Sequence, residues 1–278
     1  MGKGLDVSGW TYYNHAAIPS CAPHETPPLA PLEDGSIWRV GGGRALLARW
    51  TEDWDCGAET GWWYLIKDEP LDLASMKAKR RYEITKGERN FEVRRIEPRS
   101  CADELYRATV AAYSAWPEKY RPRVDEAAFK AGVGSWEERV ILGAFERTSG
   151  RLAGYAGLIE SEDNVAFSVL RTDPAFEKAG VNAALVAGVL RLYGERISPA
   201  FYICDGERAI RHETAFQDYL EKYFGFRKAY CRLRVRYRPG FGLLVRLLYP
   251  FRALFGGRTN LGSQIAGVLK MEQLRREA

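Results

Sequence analysis

Three apolar runs in the middle of the chain, separated by short polar turns, constrain its fold more than any other feature. The runs are residues 140–146, 151–160 and 165–172, and the turns between them carry Ser149-Gly150 and Glu162-Asp163-Asn164. Apolar runs of this length joined by short turns are typical of neighbouring antiparallel strands. The pattern therefore predicts a three-stranded antiparallel meander.

The segments on both sides of the meander alternate between helical and extended patterns. Residues 181–196 are apolar around most of a helix, and residues 200–205 are almost wholly apolar, so both are predicted to be buried. The predicted order is strand 91–96, helices 100–116 and 125–131, the meander, helix 181–196, strand 200–205, helix 214–223 and strand 229–237.

This order of elements resembles the GNAT superfamily of acyl-CoA N-acyltransferases over residues 91–239. The sequence EKYFGF (residues 221–226), a helix ending in Gly-Phe before a last strand, is similar to the end of the fourth helix in that family. The resemblance implies an α/β (α+β) fold with a mixed, mostly antiparallel central sheet flanked by helices. It also implies direct attack of an amine on the thioester of acetyl-CoA or another acyl-CoA, as co-substrate, with no metal.

The loop that follows the meander occupies the position at which GNAT proteins hold the CoA pyrophosphate. The N-terminus of a helix favours an anion because its N–H groups are free and the helix dipole is positive there. Of the family pattern Arg/Gln-x-x-Gly-x-Gly/Ala, only the central glycine is met, and Glu177 and Asn182 replace its ends. An ordinary strand–helix connection is the alternative. The resemblance assigns acyl-CoA binding to Lys178, Ala179, Gly180, Val181 and Asn182.

Acyl transfer needs a base for the proton of the amine and a proton donor for the thiolate. The position that often carries the acidic tyrosine of the family is Glu221 here, with Tyr219 and Tyr223 on either side of it. Asp205 ends the buried strand, and His212 can titrate near neutral pH. The predicted catalytic residues are therefore Asp205, His212, Tyr219 and Tyr223, with capping, packing or surface roles as the alternative for each.

The first 90 residues are predicted to form a smaller β-rich segment. Strand patterns cover residues 36–40, 45–50 and 62–66, with a hairpin turn at the glycines 41–43, and residues 72–86 form a basic helix that Gly87 would cap. That helix and the strand after it resemble Fem-like cell-envelope acyltransferases, which carry two GNAT-like units. The segment is then a reduced unit at most. This second resemblance implies an aminoacyl group taken from tRNA and an envelope precursor as acceptor.

Basic residues are concentrated near the C-terminus. Residues 222–270 contain eleven Lys or Arg and no Asp or Glu, which favours contact with an anionic partner. Residues 240–257 are mostly apolar, carry Arg246 and Arg252, and are interrupted at Pro250, as in a segment that lies in a membrane interface. A helix packed on the N-terminal segment or on a second subunit is the alternative.

The remaining features concern metal, location and domains. His15, Cys21, His24 and Cys56 have no common zinc-ligand spacing, so no metal is expected. No signal peptide or membrane span is expected from the sequence, and its five cysteines are scattered, which favours the cytoplasm or the inner face of the membrane. The predicted domains are residues 1–90, 91–239 and 240–278.

Together these patterns predict a GNAT-type N-acyltransferase that acts on an amine of a small molecule, sugar or envelope precursor. Possible partners on the acceptor side are an anionic membrane surface or a lipid-linked phosphate. Nucleic acid is a minor option, since the arginines of residues 229–237 share a strand face that lacks interleaved aromatics. The two alternatives are a Fem-like transferase that uses aminoacyl-tRNA and a non-catalytic binding module with the same fold.

Overall fold

The computed structural model describes residues 7–118, 121–210, 215–255 and 260–277. The chain divides into two compact units, the first formed by residues 1–65, 207–217 and 228–278, and the second by residues 66–206 and 218–227. These units are not the predicted domains, whose boundaries stay predictions. Within the described residues, no helix combines the length and the apolar character needed to cross a membrane.

The described residues form an alternating series of strands and helices. The strands are β1 (Trp10–Tyr13), β2 (Ala16–Pro19), β3 (Leu47–Glu52), β4 (Trp62–Lys67), β5 (Phe91–Arg95), β6 (Arg139–Glu146), β7 (Leu152–Glu160), β8 (Asn164–Thr172), β9 (Tyr202–Glu207) and β10 (Arg227–Tyr237). The helices are α1 (Ala30–Glu33), α2 (Val40–Gly43, a single left-handed turn), α3 (Ala78–Asn90), α4 (Ala102–Ser114), α5 (Glu126–Val133), α6 (Val181–Leu192), α7 (Ala215–Phe224), α8 (Phe241–Leu248) and α9 (Asn260–Glu277).

The first unit contains strands in the order β1-β2-β3-β10-β4. β10 runs antiparallel to β3, and Arg232 faces Glu52 in the register. One face of this sheet carries a core that includes Trp62, Leu233 and the α9 residues Met271 and Leu274. A second core forms around Trp10, Ile37 and Val40. Burial of these apolar side chains is the main force that holds the unit together.

Two predictions for the N-terminal segment are wrong. Residues 36–40 are not a strand, because Ser36–Arg39 form a 3₁₀ turn. The glycines after it do not join two strands either. Gly41, Gly42 and Gly43 all have positive φ, and a run of left-handed residues turns the chain away from the extended conformation that pairing requires.

The second unit contains strands in the order β9-β8-β7-β6-β5. The pairs β5/β6, β6/β7 and β7/β8 are antiparallel, and the pair β8/β9 is parallel. This confirms the predicted meander and the predicted mixed, mostly antiparallel sheet. Its core includes Leu105 of α4, Ile141 of β6 and Tyr155 of β7, while α6 buries Val181, Leu185 and Leu190 completely.

Helix α3 differs from its prediction at both ends. It covers residues 78–90 instead of 72–86, so Gly87 lies inside the helix and does not cap it. Glycine inside a helix is unfavourable by up to about 1 kcal/mol relative to alanine. A tertiary contact therefore has to account for Gly87, and helix α6 provides it.

The C-terminal extension consists of two helices and a 3₁₀ turn. Helix α8 is followed by the 3₁₀ turn Tyr249–Leu254, which contains Pro250 as its second residue. Helix α9 was not predicted, and it carries Glu272, which is 1% exposed. The Glu272 carboxylate accepts hydrogen bonds from Tyr237, Arg275 and Arg276.

Candidate functional site

Strands β8 and β9 separate soon after they begin to pair. They are in register over three residues only, 164–166 of β8 with 202–204 of β9, although β8 continues to Thr172. Beyond this point β8 stays paired with β7 on its other edge. The sheet of the second unit therefore opens between two parallel strands at their carboxyl ends, a place where α/β sheets bind ligands.

A β-bulge lies on the side of this opening. The pairing of β7 with β8 shifts so that Gly157 faces Val169 and Leu158 faces Phe167, which leaves Ser168 as the extra residue of β8. The Ser168 hydroxyl donates to the carbonyl of Gly157 at 2.9 Å. A bulge bends its strand and redirects neighbouring groups, and bulges are common beside active sites.

The chain turns sharply between β8 and α6. The Asp173 carboxylate accepts from the amide of Ala175, and residues 174–179 then form a 3₁₀ turn. Gly180 follows with φ +92°, a conformation that favours glycine. The first helical hydrogen bond of α6 joins the amide of Ala184 to the carbonyl of Gly180, so the amides of residues 181–183 precede it. This is a helix N-terminus at the carboxyl end of a strand, a position that favours an anion on general grounds.

The predicted acyl-CoA residues have different environments in this turn. Lys178 is exposed, whereas Gly180 and Val181 are buried. The Ala179 carbonyl accepts from Asn90 Nδ2 at 2.8 Å, and the Asn182 side chain accepts from the Thr172 hydroxyl at 2.9 Å. The turn is thus fixed by groups on both sides of it, and its role in acyl-CoA binding stays a prediction.

Helix α3 covers one face of the turn. A Cβ atom on Gly87 would lie 2.6 Å from the Gly180 carbonyl oxygen and 2.8 Å from the Ala184 amide nitrogen. Together with the Asn90 hydrogen bond, this contact fills the side of the turn that faces α3. Any anion held by the α6 amides therefore has to approach from another side.

Helix α3 also brings a charged pair to the turn. The Lys86 Cε atom lies 3.4 Å from the Cβ position of Gly180, and Lys86 Nζ pairs with Glu83 at 2.8 Å. Burial raises the pKa of Tyr219, and the negative charge of Glu83 and the neighbour Tyr223 raise it further. Glu83 therefore pairs with Lys86 and also acts on Tyr219 through its charge.

The two predicted tyrosines of α7 lie side by side. The rings of Tyr219 and Tyr223 are 5.0 Å apart, and Tyr219 also contacts Phe224 at 5.6 Å. Both tyrosines are half-buried. A tyrosine with a raised pKa retains its proton, so Tyr219 is suited to donate a hydrogen bond and poorly suited to give up the proton.

One of the two predicted bases, Asp205, lies within the described residues. Asp205 is the first β9 residue beyond the last pair with β8, and it is half-buried beside Gly206, which has φ +115°. This position is at the mouth of the opening between the strands. His212, the other candidate, lies outside the described residues.

Sequence reasoning missed a buried lysine at the end of β4. Lys67 is 5% exposed, and its Nζ lies 3.6 Å from the Cβ position of Gly225, the residue after α7. Burial lowers the pKa of Lys67, although Glu69 and Asp68 partly oppose the shift. The next residue, Asp68, is paired with Arg227 through several hydrogen bonds. A lysine that closes the apolar run WWYLI was the available signal, since a charge at the end of a buried strand is unusual.

Known proteins resemble this chain in structure. No family model and no curated protein sequence matches it. The C-terminal domain (DUF2156) of a protein named as a lysylphosphatidylglycerol synthetase, from Agrobacterium fabrum, has a TM-score of 0.55 at 11% identity, over 85% of this chain and 82% of that one. The observed elements also follow the predicted GNAT order. The chain has a GNAT-like fold.

Two further structures have lower TM-scores. L-PGS from Bacillus licheniformis gives 0.47 at 12% identity, over 84% of this chain and 70% of that one. A GCN5-related N-acetyltransferase from Sphaerobacter thermophilus gives 0.41 at 17% identity, over 64% of this chain and 52% of that one.

Proposed function

We propose that this chain is an N-acyltransferase that binds an acyl-CoA, acetyl-CoA in the simplest case, in the opening between β8 and β9. The observation that carries the proposal is the separation of two parallel strands after three paired residues. The bulge at Ser168 borders the opening, and the N-terminus of α6 follows the same strand. An extended thioester with an anionic end fits such an arrangement, because strand edges offer hydrogen bonds and the helix N-terminus favours the anion.

The reaction that fits is direct transfer to an amine. The neutral amine attacks the thioester carbonyl, a new C–N bond forms, and the C–S bond breaks to release the CoA thiolate. The amine loses one proton to a base, and the thiolate takes up one proton. Holding both substrates in contact supplies much of the rate enhancement in such a reaction, so few side chains have to act chemically.

Several predicted site residues that the structure describes have a proposed role in this reaction. Asp205, at the mouth of the opening, acts as the base or orients the amine. Tyr219 donates a hydrogen bond that stabilises the thiolate or the oxyanion, as its raised pKa favours. Tyr223 packs on Tyr219 and positions it. Lys178 is exposed at the α6 turn, where it attracts the CoA phosphates.

Calorimetry with CoA and acetyl-CoA tests the donor. We expect micromolar binding that weakens about tenfold in Lys178→Glu, since charge is reversed beside the proposed phosphates. Arg123→Glu is the control, because it makes the same reversal of charge at another exposed position. Absence of binding by the wild-type chain contradicts an acyl-CoA donor.

A second candidate is transfer of an aminoacyl group from tRNA to an amine or hydroxyl of an envelope precursor. The specific observation in its favour is that α3 fills one face of the Gly180 turn, which reduces the room for a pyrophosphate. The first half of α3 also carries Lys79, Arg80 and Arg81, charges that could contact an RNA backbone. The donor of this transferase would be an ester, and the proposed opening would hold its aminoacyl end.

One experiment distinguishes the two proposed donors. Retention of labelled aminoacyl-tRNA without CoA binding favours the second candidate, and the reverse favours the first. If neither donor binds, the chain is a binding module that has the fold without the chemistry.

A further inference from the structure

Residues 241–254 expose an unusual amount of apolar surface. Five of the twelve large apolar residues that are exposed in the described chain fall within these fourteen positions. The others are scattered along residues 13–192. The five within the segment are Leu243, Leu244, Leu247, Phe251 and Leu254, with exposed fractions of 62, 48, 61, 57 and 80%.

The exposed leucines of α8 share one face of the helix. At about 100° per residue, Leu243, Leu244 and Leu247 lie within an arc of about 100°, and Arg246 lies about 60° outside it. Val245 projects from the opposite side and is 3% exposed. The helix is therefore apolar on both its buried and its exposed faces, with a positive charge beside the exposed one.

Aromatic contacts anchor this segment to the rest of the first unit. The Phe241 ring packs edge to face on Tyr237 at 6.0 Å, and the Arg276 guanidinium lies 3.9 Å from the centre of the Tyr249 ring. Contacts at both ends fix the orientation of the segment within the unit. The exposed apolar face is thus a defined part of the folded surface.

The exposed charges within this segment are positive, and Glu272, which contacts the anchoring residues Tyr237 and Arg276, is buried and ion-paired. Arg246 and Arg252 are both exposed, and residues 222–270 contain no acidic side chain. Large exposed apolar patches mark sites of protein or membrane contact. Apolar side chains combined with flanking arginines, and without acids, suit a surface of anionic lipids.

We propose that residues 241–254 dock on an anionic membrane surface, with their leucines and Phe251 among the upper acyl chains and with Arg246 and Arg252 at the head groups. A second copy of the chain fits less well. A two-fold contact through this face would bring each arginine close to the same residues of the partner, with no acid to neutralise them. The proposal does not depend on the acyl transfer proposed above.

Vesicle flotation with the full chain tests the proposal. Vesicles of phosphatidylcholine alone are compared with vesicles that contain 30% phosphatidylglycerol (about one anionic lipid in three), at low and at high salt. We expect at least tenfold tighter binding to the anionic vesicles at low salt, and a loss of most of that difference at high salt.

Two double variants separate the apolar and the charged contributions. Leu243→Asp with Leu247→Asp should weaken binding to anionic vesicles at least tenfold, because apolar area is withdrawn and repulsive charge is added. Arg246→Glu with Arg252→Glu should remove the preference for anionic lipid. The controls, Leu192→Asp and Arg107→Glu, each make one substitution of the same kind at an exposed position of α6 or α4 and should bind as the wild type does.

A measurement on the wild-type chain covers the case in which a variant fails to fold. Anionic vesicles should slow hydrogen exchange of the amides of residues 241–254 and leave those of α4 unchanged. Equal binding to both kinds of vesicle, full binding by the double variants, or unchanged exchange would overturn the proposal. A dimer that dissociates in the leucine variant, without vesicle binding, would overturn it in favour of self-association. Donor binding measured on the same samples keeps this result separate from the test of acyl transfer.

Discussion

Gly87 and Gly180 bring the backbones of α3 and of the turn before α6 into direct contact. A Cβ atom on Gly87 would lie 2.6 Å from the Gly180 carbonyl oxygen, and one on Gly180 would lie 3.1 Å from the Gly87 nitrogen. Neither neighbour is a flexible side chain that could move away. The crossing of α3 over the turn therefore requires a glycine at position 87, and the turn itself requires one at position 180 through its positive φ.

Gly87→Ala should lower the free energy of unfolding by about 1–2 kcal/mol. Overpacking against backbone destabilises the folded state by about 1–3 kcal/mol, and the better helix propensity of alanine offsets up to about 1 kcal/mol of this loss. Urea denaturation measures the change. Gly132→Ala in α5 is the matched control, since nothing lies within 4 Å of its Cβ position, and it should be neutral or slightly stabilising. Equal effects in the two variants would contradict a close crossing.

Lys67→Met should stabilise the chain by about 1–2 kcal/mol at neutral pH, because it removes a buried charge and keeps an apolar chain of similar length. The pKa of Lys67 is lowered by burial, so the folded state disfavours its protonated form. The stability of the wild-type chain should therefore rise, relative to the variant, as pH increases from that lowered pKa towards the unfolded value of about 10.4. Stability curves at several pH values measure this. The exposed Lys222→Met is the control, and a destabilising Lys67→Met would show that the amino group makes a favourable contact.

Glu272→Gln should destabilise the chain by about 2–3 kcal/mol at neutral pH. Burial alone would raise the pKa of Glu272, but hydrogen bonds from Arg275, Arg276 and Tyr237 hold it at about 2. The carboxylate therefore stabilises the folded state above the unfolded pKa of about 4.3, and this contribution is lost as pH falls through about 2. The difference in stability between the wild type and the variant should therefore shrink as pH falls from about 4.3 to about 2, and acid denaturation of both measures it. Glu277→Gln, an exposed change in the same helix, should have little effect.

Tyr219→Phe should lower the rate of acyl transfer about 100-fold with little change in donor affinity, if the hydroxyl stabilises charge that develops in the transition state. Release of the CoA thiol followed with a thiol reagent measures the rate. Tyr223→Phe removes a neighbouring hydroxyl and keeps the stacked ring, so its rate should stay within about threefold of the wild type. Similar losses in both variants would place the role in the pair and not in Tyr219.

The parts of the fold that sequence patterns predict are those fixed by local chemistry. The meander was predicted at residues 140–146, 151–160 and 165–172 and forms at Arg139–Glu146, Leu152–Glu160 and Asn164–Thr172. Alternating apolar runs and short polar turns determine both the strands and their pairing. Helix α6 begins at Val181 as predicted, after a glycine in the left-handed conformation, but it ends at Leu192, before the predicted end at Arg196.

The parts that were missed depend on distant contacts or on unusual backbone. The β1–β2 hairpin turns at Asn14 and His15, both with positive φ, whereas the usual sequence signature of such a turn is Asn-Gly or Asp-Gly. Gly87 has the sequence signature of a helix end, and only its contact with Gly180 keeps it inside α3. Tertiary packing overrides local propensity at such places.

Sequence patterns predict one part of the candidate site, the start of α6, and miss the contacts that depend on distant residues. The pattern before α6 indicated a helix N-terminus, but nothing in it showed that Asn90 would bind the Ala179 carbonyl. Lys67 was overlooked because its burial depends on Gly225, more than 150 positions later in the chain. Residues brought together by the sheet are visible to sequence analysis only when each has its own local signal.

The arginines of β10 produce a weaker positive electrostatic field than their number suggests. Arg234 pairs with Glu52 at 2.7 Å and Arg232 pairs with Asp53 at 3.3 Å, both acids coming from β3 or the residue after it. The screening length at physiological ionic strength is about 8 Å, and the two charges of each pair lie closer together than that. Seen from that distance, each pair therefore acts as a dipole and not as a free charge. A polyanion that approaches Arg232 and Arg234 therefore meets less attraction than two free arginines would exert, and these two residues should contribute little to the salt dependence of its binding.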